Sequence, residues 1–251
     1  MKNTNLAVRV PAITAFFWII KVLATTVGET FADYLNRDVG LGFQVTTAVM
    51  TSLLGILLII QFSYRRYVPW AYWAAIVFIS VVGTLLTDFL TDSLGVPLAV
   101  SSLIFVLGLG IVFAIWWKKE RTLEMKSINT AGREAFYWLA ILLTFALGTA
   151  LGDYLAETIG LGYGLSAVVY GFAILVVFLL FRAKKLGGVG AFWIAYVLTR
   201  PLGASVGDFL AQDQSNGGLG LGTTVVSWIF LGAILILTAY LTFSKRDRII
   251  K

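Results

Sequence analysis

The chain has neither cysteine nor histidine in its 251 residues, and only 13% of its residues are charged. Without cysteine it forms no disulfide, iron–sulfur cluster or thiolate metal site, and without histidine it lacks the commonest metal ligand and general base. These absences disfavour an enzyme and predict no resident cofactor. Hydrophobic residues make up 59% of the chain, whereas soluble domains are about 45–50% apolar and about 25% charged. The composition therefore predicts a protein whose solvent is a lipid bilayer.

Most of the basic residues, which give the chain a net charge of +6, lie at its termini and in the loops between apolar segments. They concentrate in one set of loops, at 64–66, 118–133 and 182–185. They are almost absent from the alternate set, at 36–40, 92–95, 157–160 and 212–218. Because cytoplasmic loops of membrane proteins are rich in lysine and arginine, both termini are predicted to be cytoplasmic. The net charge is thereby explained, and we expect no nucleic-acid partner.

Apolar runs of about 20 residues, the length that crosses a bilayer as a helix, recur along the chain. They predict eight helices, at residues 12–36, 40–62, 70–93, 96–117, 134–157, 161–181, 190–211 and 219–243. The first run is too long for the core of a cleavable signal peptide and has no small-residue cleavage pattern, so we expect it to stay in the mature protein. The predicted fold class is an all-α polytopic membrane protein.

One two-helix unit is repeated four times. Each odd-numbered helix carries a tryptophan, a glycine ten residues later and an aspartate five residues after that: Trp18, Gly28 and Asp33; Trp73, Gly83 and Asp88; Trp138, Gly148 and Asp153; Trp193, Gly203 and Asp208. The residue after the aspartate alternates between tyrosine and phenylalanine, which pairs unit one with unit three and unit two with unit four. Two successive duplications explain this pattern and predict two halves, residues 1–125 and 126–251.

A glycine-containing turn and a hydroxyl residue follow each aspartate. The turns are predicted at 40–42, 95–97, 160–162 and, after a three-residue insertion, 218–220. The hydroxyl residues near the start of each even-numbered helix are Thr46, Ser101, Ser166 and Thr224. Because every unit has two spans, all four units enter the membrane in the same direction, and an axis along the membrane normal relates them.

The aspartates are predicted to form a polar layer inside the membrane. At about 1.5 Å per residue, each lies roughly 22 Å along its helix from the tryptophan, which we expect in an aromatic belt at the cytoplasmic interface. The hydroxyl residues should lie level with the aspartates. Ionisable groups in a bilayer cost at least about 2.5–3.5 kcal/mol each and usually mark a pathway or a paired site. Glu29, one turn before Asp33, is an acid that the other units lack.

Two basic residues also fall within predicted helices. Lys21 lies about one turn inside the membrane boundary, from where its ammonium can snorkel to the interface. Arg200 lies deeper and is predicted to pair with a carboxylate. Five embedded acids then face two embedded bases, which leaves negative charge for protons or a bound cation to neutralise.

These features predict a transporter of a small cation. Oxygen ligands without histidine or cysteine favour Mn²⁺, Mg²⁺ or Ca²⁺, and exchange of Mn²⁺ for protons is the specific hypothesis. The predicted ion- or proton-binding residues are Glu29, Asp33, Asp88, Asp153, Asp208, Thr46, Ser101, Ser166 and Thr224, with Arg200 and Lys21 as counter-ions. Among them, the predicted metal ligands are Glu29, Asp33 and Asp153.

Three alternatives stay open, as does the oligomeric state. The acids could relay protons in a carrier of a small organic solute, or they could only staple a membrane scaffold by capping helices or bonding hydroxyls. In addition, segments 150–153 and 205–208 resemble the Gly-x-Gly-Asp of presenilin-like intramembrane proteases, in which two aspartates share a proton. Both segments lack the first glycine of that motif, which disfavours the protease.

The Trp-x9-Gly-x4-Asp unit followed by Gly-Leu-Gly resembles the repeat of an uncharacterised family of bacterial integral membrane proteins, from Phe17 to Phe230. The resemblance implies a multi-pass protein of the bacterial inner membrane and brings no activity. The segment 26–30, Thr-Val-Gly-Glu-Thr, also resembles, in a different residue order, the Glu-x-Gly-Asp motif of small cation exporters that handle manganese or calcium.

Overall fold

The computed structural model describes residues 7–249, and this part of the chain contains helices and connecting turns only. The eight long helices are α1 (Ala15–Asp33), α2 (Phe43–Ser63), α3 (Pro69–Asp88), α4 (Leu98–Glu120), α5 (Ala131–Asp153), α6 (Gly162–Arg182), α7 (Gly188–Ala211) and α8 (Thr223–Ser244). All eight are long and apolar enough to cross a bilayer. The predicted all-α, multi-pass membrane fold is confirmed.

Three of the odd-numbered helices widen into a π-helical turn directly after their aspartate. These turns are Tyr34–Asp38, Phe89–Ser93 and Tyr154–Thr158. The fourth unit differs, because α7 continues past its aspartate as an ordinary α-helix to Ala211. π-Helical turns are rare in proteins, and those that occur are often found at functional sites. Their position beside the repeated acids therefore marks that end of the molecule as a candidate functional site.

The turn of the fourth unit lies at 220–222 and not at the predicted 218–220. The two glycines of this turn have φ values of 74° and 81°, which match the 73° and 74° of the glycines in the first turn, 40–42. In both units the helix begins at the residue after the second of these glycines. The insertion is therefore longer than the sequence indicated, and Thr224 is not the equivalent of Thr46.

The odd-numbered helices form an inner ring, and the even-numbered helices lie outside it. Inner helices pack in cyclic order, α1 on α3, α3 on α5, α5 on α7 and α7 back on α1. Each outer helix packs on the inner helix that follows it, and α8 packs on α1. Between 56% and 67% of each inner span is buried, against 17–28% of each outer span. The outer helices therefore provide most of the lipid-facing surface.

The repeated glycine is the point at which neighbouring inner helices touch. A β-carbon on it would meet the residue three positions before the glycine of the next unit: Gly28 meets Ser80, Gly83 meets Phe145, Gly148 meets Arg200 and Gly203 meets Thr25. All four of these contacts would be shorter than 3.0 Å. Small residues let helix backbones approach closely in membranes, and here four such approaches close the ring with approximate fourfold symmetry.

Aromatic residues close one end of the ring. Each repeated tryptophan contacts the residue that precedes the tryptophan of the previous unit, with ring centroids 5.8 Å apart for Phe17–Trp73, 5.5 Å for Tyr72–Trp138, 6.3 Å for Tyr137–Trp193 and 5.8 Å for Phe192–Trp18. These are favourable separations for aromatic pairs. We call these eight side chains the aromatic ring, its end of the molecule the tryptophan end, and the opposite end the aspartate end.

The predicted aromatic belt is wrong for three of the four repeated tryptophans, whereas Trp18 is partly exposed. Trp73, Trp138 and Trp193 are only 1–6% exposed, because they pack between inner helices and not against lipid. The tryptophans that do face outward are outside the repeat pattern: Trp70, Trp117 and Trp228.

A buried ion pair ties the N-terminal segment to the tryptophan end. Arg9 Nη1 donates to Glu134 Oε2 at 2.7 Å. Gln61 Nε2 and Trp138 Nε1 donate to the other oxygen of Glu134 at 2.9 and 3.3 Å. Glu134 is fully buried, and this pairing supplies the charge partner that a buried carboxylate requires. No local pattern in the sequence indicates this network, because its residues lie far apart in the chain.

Replacing Gly83 with alanine tests the ring closure. The new β-carbon would lie 2.7 Å from Phe145 Cβ and 3.1 Å from the Ala146 nitrogen, so α3 and α5 must separate. Overpacking of this kind costs about 1–3 kcal/mol, and we expect a clearly lower unfolding temperature in detergent. Gly110→Ala is the control, because no atom lies within 4 Å of its new β-carbon. Equal melting of the two variants would contradict the ring.

Candidate functional site

Arg200 lies at the centre of the inner ring. It occupies the position in α7 that the glycine of α5 contacts, and its side chain is fully buried. Nη1 donates to the Thr25 carbonyl at 3.0 Å, and Nη2 donates to Glu29 Oε2 at 3.0 Å. Nη2 also donates to the hydroxyls of Thr84 and Thr149. One guanidinium thus binds all three other inner helices, and the predicted pairing of Arg200 with a carboxylate is confirmed.

The partners of Arg200 come from one position of the repeat, the residue directly after the glycine. That position holds Glu29, Thr84, Thr149 and Ala204 in the four units. The hydroxyls of Thr84 and Thr149 also lie 3.3 and 3.4 Å from Glu29 Oε2. Charge-assisted hydrogen bonds are stronger than neutral ones, so Glu29 and Arg200 form the polar centre of the ring. In the sequence, Glu29 is distinguished by being the one charged residue at this position of the repeat.

Three carboxylates come together on the aspartate side of this centre. Glu29, Asp153 and Asp208 offer carboxylate oxygens that all lie within 4.8 Å of one another. They come from three consecutive inner helices, α1, α5 and α7, of which α7 contacts both others. We call these three residues the acidic triad. Carboxylate oxygens in this number and spacing can serve as ligands for a hard cation.

Asp153 and Asp208 have no charge partner of their own. Within residues 7–249, neither side chain makes a hydrogen bond or an ion pair, and Asp208 is 8% exposed. Two unit charges about 4 Å apart interact by roughly 4 kcal/mol at an effective dielectric constant of 20. A proton or a bound cation is therefore needed to hold these carboxylates together. Within residues 7–249 neither aspartate bonds to a hydroxyl or a helix N-terminus, which argues against the stapling role for these two residues.

Asp33 and Asp88 lie outside the triad. Asp33 carries its carboxylate one turn beyond Glu29, where it pairs with Arg37 at 3.4 Å and its side chain is 22% exposed. Asp88 is partly exposed and forms no ion pair in the described part of the chain. The structure therefore brings Asp208, in place of the predicted Asp33, to Glu29 and Asp153. Metal binding by any of these sets stays a prediction.

Within residues 7–249, the four predicted hydroxyl residues form no hydrogen bond with Glu29 or with the repeated aspartates. Thr46, Ser101 and Ser166 are buried on outer helices. Ser166 donates to the Gly162 carbonyl of its own helix, and the other two hydroxyls have no hydrogen-bond partner within residues 7–249. Thr224 is exposed and donates to Asp38 at 2.8 Å. The polar layer is built from threonines of the inner helices instead, because these helices surround the axis.

Lys21 does not reach the interface, so the snorkelling prediction is wrong. The side chain is 1% exposed, and Nζ donates to the Tyr196 carbonyl at 3.0 Å and to the Thr199 hydroxyl. Nζ also lies 3.8 Å from the centroid of the Tyr196 ring, within the range of a cation–π contact. Among the described residues it has no carboxylate partner. Of Lys21 and Arg200, only Arg200 forms an ion pair with an acid within residues 7–249.

A large cavity lies away from these charges. It has a volume of about 1020 Å³ and opens on the outside of α1, α6 and α7 at the tryptophan end, where Trp18, Phe178 and Phe192 are among its lining residues. Its walls are mostly apolar. It is separate from the acidic triad, and we assign it no role in the chemistry of that site.

The four units agree with a described family. The repeat described as "Repeat of Unknown Function (DUF347)" matches residues 16–67, 71–122, 136–185 and 191–247, so each match covers one two-helix unit. No curated protein and no solved structure matches the chain. The predicted fourfold repeat is confirmed.

Arg200→Gln tests the role of the central guanidinium. It leaves Glu29, whose side chain is only 11% exposed, without its charge partner. Removal of one partner from a fully buried ion pair costs about 3–5 kcal/mol. We expect a large fall in unfolding temperature in detergent. The double variant Glu29→Gln/Arg200→Gln removes both charges and should regain part of the loss. Equal stability of Arg200→Gln and the wild type would contradict a central structural role for this ion pair.

Proposed function

The chain belongs to the family defined by the DUF347 repeat of unknown function, and because membership assigns no activity, we propose from the site that it transports a small cation in exchange for protons. The observation that carries this proposal is the acidic triad. Three carboxylates converge within 4.8 Å, and two of them form no ion pair in the described part of the chain. Ionisable groups buried in membrane proteins usually mark ion pathways.

The ligand set favours a hard divalent cation. The chain has no cysteine or histidine, so soft thiolate and imidazole ligands, which select copper or zinc, are absent from the site. Carboxylate oxygens suit Mn²⁺, Mg²⁺ and Ca²⁺. Manganese is our specific proposal for the transported ion, with protons as the exchanged species.

The exposure of the acids supports access from the aspartate end. The side chains of Asp33 and Glu29 are 22% and 11% exposed, whereas the aromatic ring closes the tryptophan end. Basic loops cluster at the tryptophan end, and we therefore place that end in the cytoplasm of a bacterium, with both termini. In this arrangement the acids face away from the cytoplasm in the conformation described.

Arg200 acts in this proposal as an internal substitute for the ion. When the site is empty, the guanidinium neutralises Glu29. A cation that binds to Asp153, Asp208 and Glu29 competes with that guanidinium and with protons on the carboxylates. Interacting carboxylates titrate as a group, so cation binding releases protons and a rise in proton concentration expels the cation. Asp33 and Asp88, nearer the surface, are the proposed entry residues.

The proximity of Asp153 and Asp208 also favours a second candidate, an intramembrane aspartyl protease, because two neighbouring aspartates can share a proton. The third carboxylate of Glu29 and the guanidinium of Arg200 at the same site favour the cation. Thermal stabilisation by cations distinguishes the two candidates, since the protease requires no metal ion.

Thermal stabilisation by cations tests the proposed transport site. We expect Mn²⁺ to raise the unfolding temperature of the purified protein selectively among Mn²⁺, Mg²⁺, Ca²⁺, Na⁺ and K⁺. A ligand at a hundred times its dissociation constant stabilises a protein by about 2.7 kcal/mol. Asp153→Asn and Asp208→Asn should abolish this shift, and lower pH should weaken it, because protons compete for the same oxygens.

Asp213→Asn is the matched control, since Asp213 is an exposed acid of the loop before α8. It should keep the full Mn²⁺ shift. If no cation stabilises the folded wild type, or if Asp153→Asn and Asp208→Asn keep the shift, the triad is not a cation site.

A further inference from the structure

Four tyrosines lead from the centre of the ring to the tryptophan end. Tyr196 lies beside Lys21, Tyr137 and Tyr72 belong to the aromatic ring, and Tyr67 lies between α2 and α3. Tyr72, Tyr137 and Tyr196 are fully buried, and Tyr67 is 7% exposed. A tyrosine hydroxyl both donates and accepts a hydrogen bond, so a succession of them can pass a proton where no histidine exists.

Hydrogen bonds and ring contacts connect these tyrosines. The hydroxyls of Tyr72 and Tyr137 are hydrogen-bonded to each other, and the Tyr196 hydroxyl lies near Tyr137. The Tyr196 hydroxyl has no hydrogen-bond partner among residues 7–249 in this conformation. The rings of Tyr67 and Tyr72 contact each other edge to face, with centroids 5.6 Å apart.

The outer end of the series is a carboxylate. The Tyr67 hydroxyl donates to Asp247 Oδ2, and Asp247 Oδ1 is buried without a partner among the described residues. The neighbours of Asp247 in the chain, Arg246 and Arg248, are exposed, so this acid lies just beneath the surface. Burial raises the pKa of the Asp247 carboxyl, which makes it easier for this group to hold a proton.

We propose that Asp247, Tyr67, Tyr72, Tyr137 and Tyr196 form a proton path through the aromatic ring to Lys21, at the inner edge of the site. The packed rings exclude hydrated cations from this end, whereas the hydroxyls within them pass protons. The path rests on the proposed function, because it supplies the protons that the cation is exchanged for.

The proton transfer balances at each step. A protonated Asp247 gives its proton to the Tyr67 oxygen after the Tyr67 hydroxyl turns away from Asp247. Because only the rings of Tyr67 and Tyr72 are in contact, a water between the two hydroxyls takes the proton of Tyr67 and gives one of its own to Tyr72. Tyr72 passes a proton to Tyr137 in the same way, and Tyr137 passes one to Tyr196. Each phenol gains one proton and loses one, so none stays charged. Lys21 Nζ contacts the backbone carbonyl and the ring face of Tyr196 and not its hydroxyl. A water therefore carries the proton from the Tyr196 hydroxyl to the Lys21 amine when that amine is unprotonated.

Charged groups at both ends act on the path. At the inner end, the positive charge of Arg200 of α7 acts on Lys21. At the outer end, Arg248 lies near Asp247.

The test uses the full chain reconstituted in liposomes that contain a pH-sensitive dye. Proton movement is recorded under two drives, a Mn²⁺ gradient and a potassium diffusion potential without divalent cations. Tyr72→Phe and Tyr137→Phe keep the rings and remove the hydroxyls, and each should lower the rate of proton movement at least tenfold. Tyr240→Phe, on the outer face of α8, should match the wild type. All variants should keep the Mn²⁺-dependent thermal shift.

Proton movement at the wild-type rate in a folded Tyr72→Phe or Tyr137→Phe would overturn the path. A wild type that moves no protons under either drive would overturn it as well. Failure of the cation proposal has a different result: no Mn²⁺ uptake and no thermal shift, while the potential still drives protons through the wild type and not through the two tyrosine variants.

Discussion

The close approach of four inner helices through one glycine per unit is the constraint on which this structure depends. Each glycine contacts the residue three positions before the glycine of the next unit, and in the last unit that residue is arginine. Because the ring is closed and narrow, a long side chain at one contact lies within reach of every other inner helix. Arg200 uses this geometry to bind α1, α3 and α5 at once.

Two of the charged residues that break the fourfold symmetry lie at the centre of the ring. Glu29 replaces a neutral residue in the first unit, and Arg200 replaces one in the fourth. These two charges neutralise each other at the centre, so the repeated aspartates remain without an embedded counter-charge. Burial of unpaired charge is costly. Asp153 and Asp208, which form no ion pair within residues 7–249, are the acids on which our proposal of uptake of protons or a metal ion at this site rests.

The sequence predicted the eight helices and the four units, because apolar length and fixed spacing are local properties of the chain. The sequence does not predict which way a side chain points, because that direction depends on how each helix is rotated about its axis. The spacing gave the depth of Trp73 and Asp208 but not the direction in which they point, so the tryptophans were placed towards lipid and Asp33 was chosen for the triad. The fourth turn was misplaced because its positive-φ glycines are not distinguishable from neighbouring Gly218 by sequence. Asp247 was missed because no pattern linked it to Tyr67.

Crystallographic location of the metal tests the central claim most directly. Anomalous diffraction from crystals grown with Mn²⁺ should show one strong peak among the carboxylate oxygens of Glu29, Asp153 and Asp208, with the Arg200 guanidinium moved away from Glu29. Absence of a peak there, with Mn²⁺ bound only at exposed acids and the Arg200–Glu29 pair intact, would contradict the account.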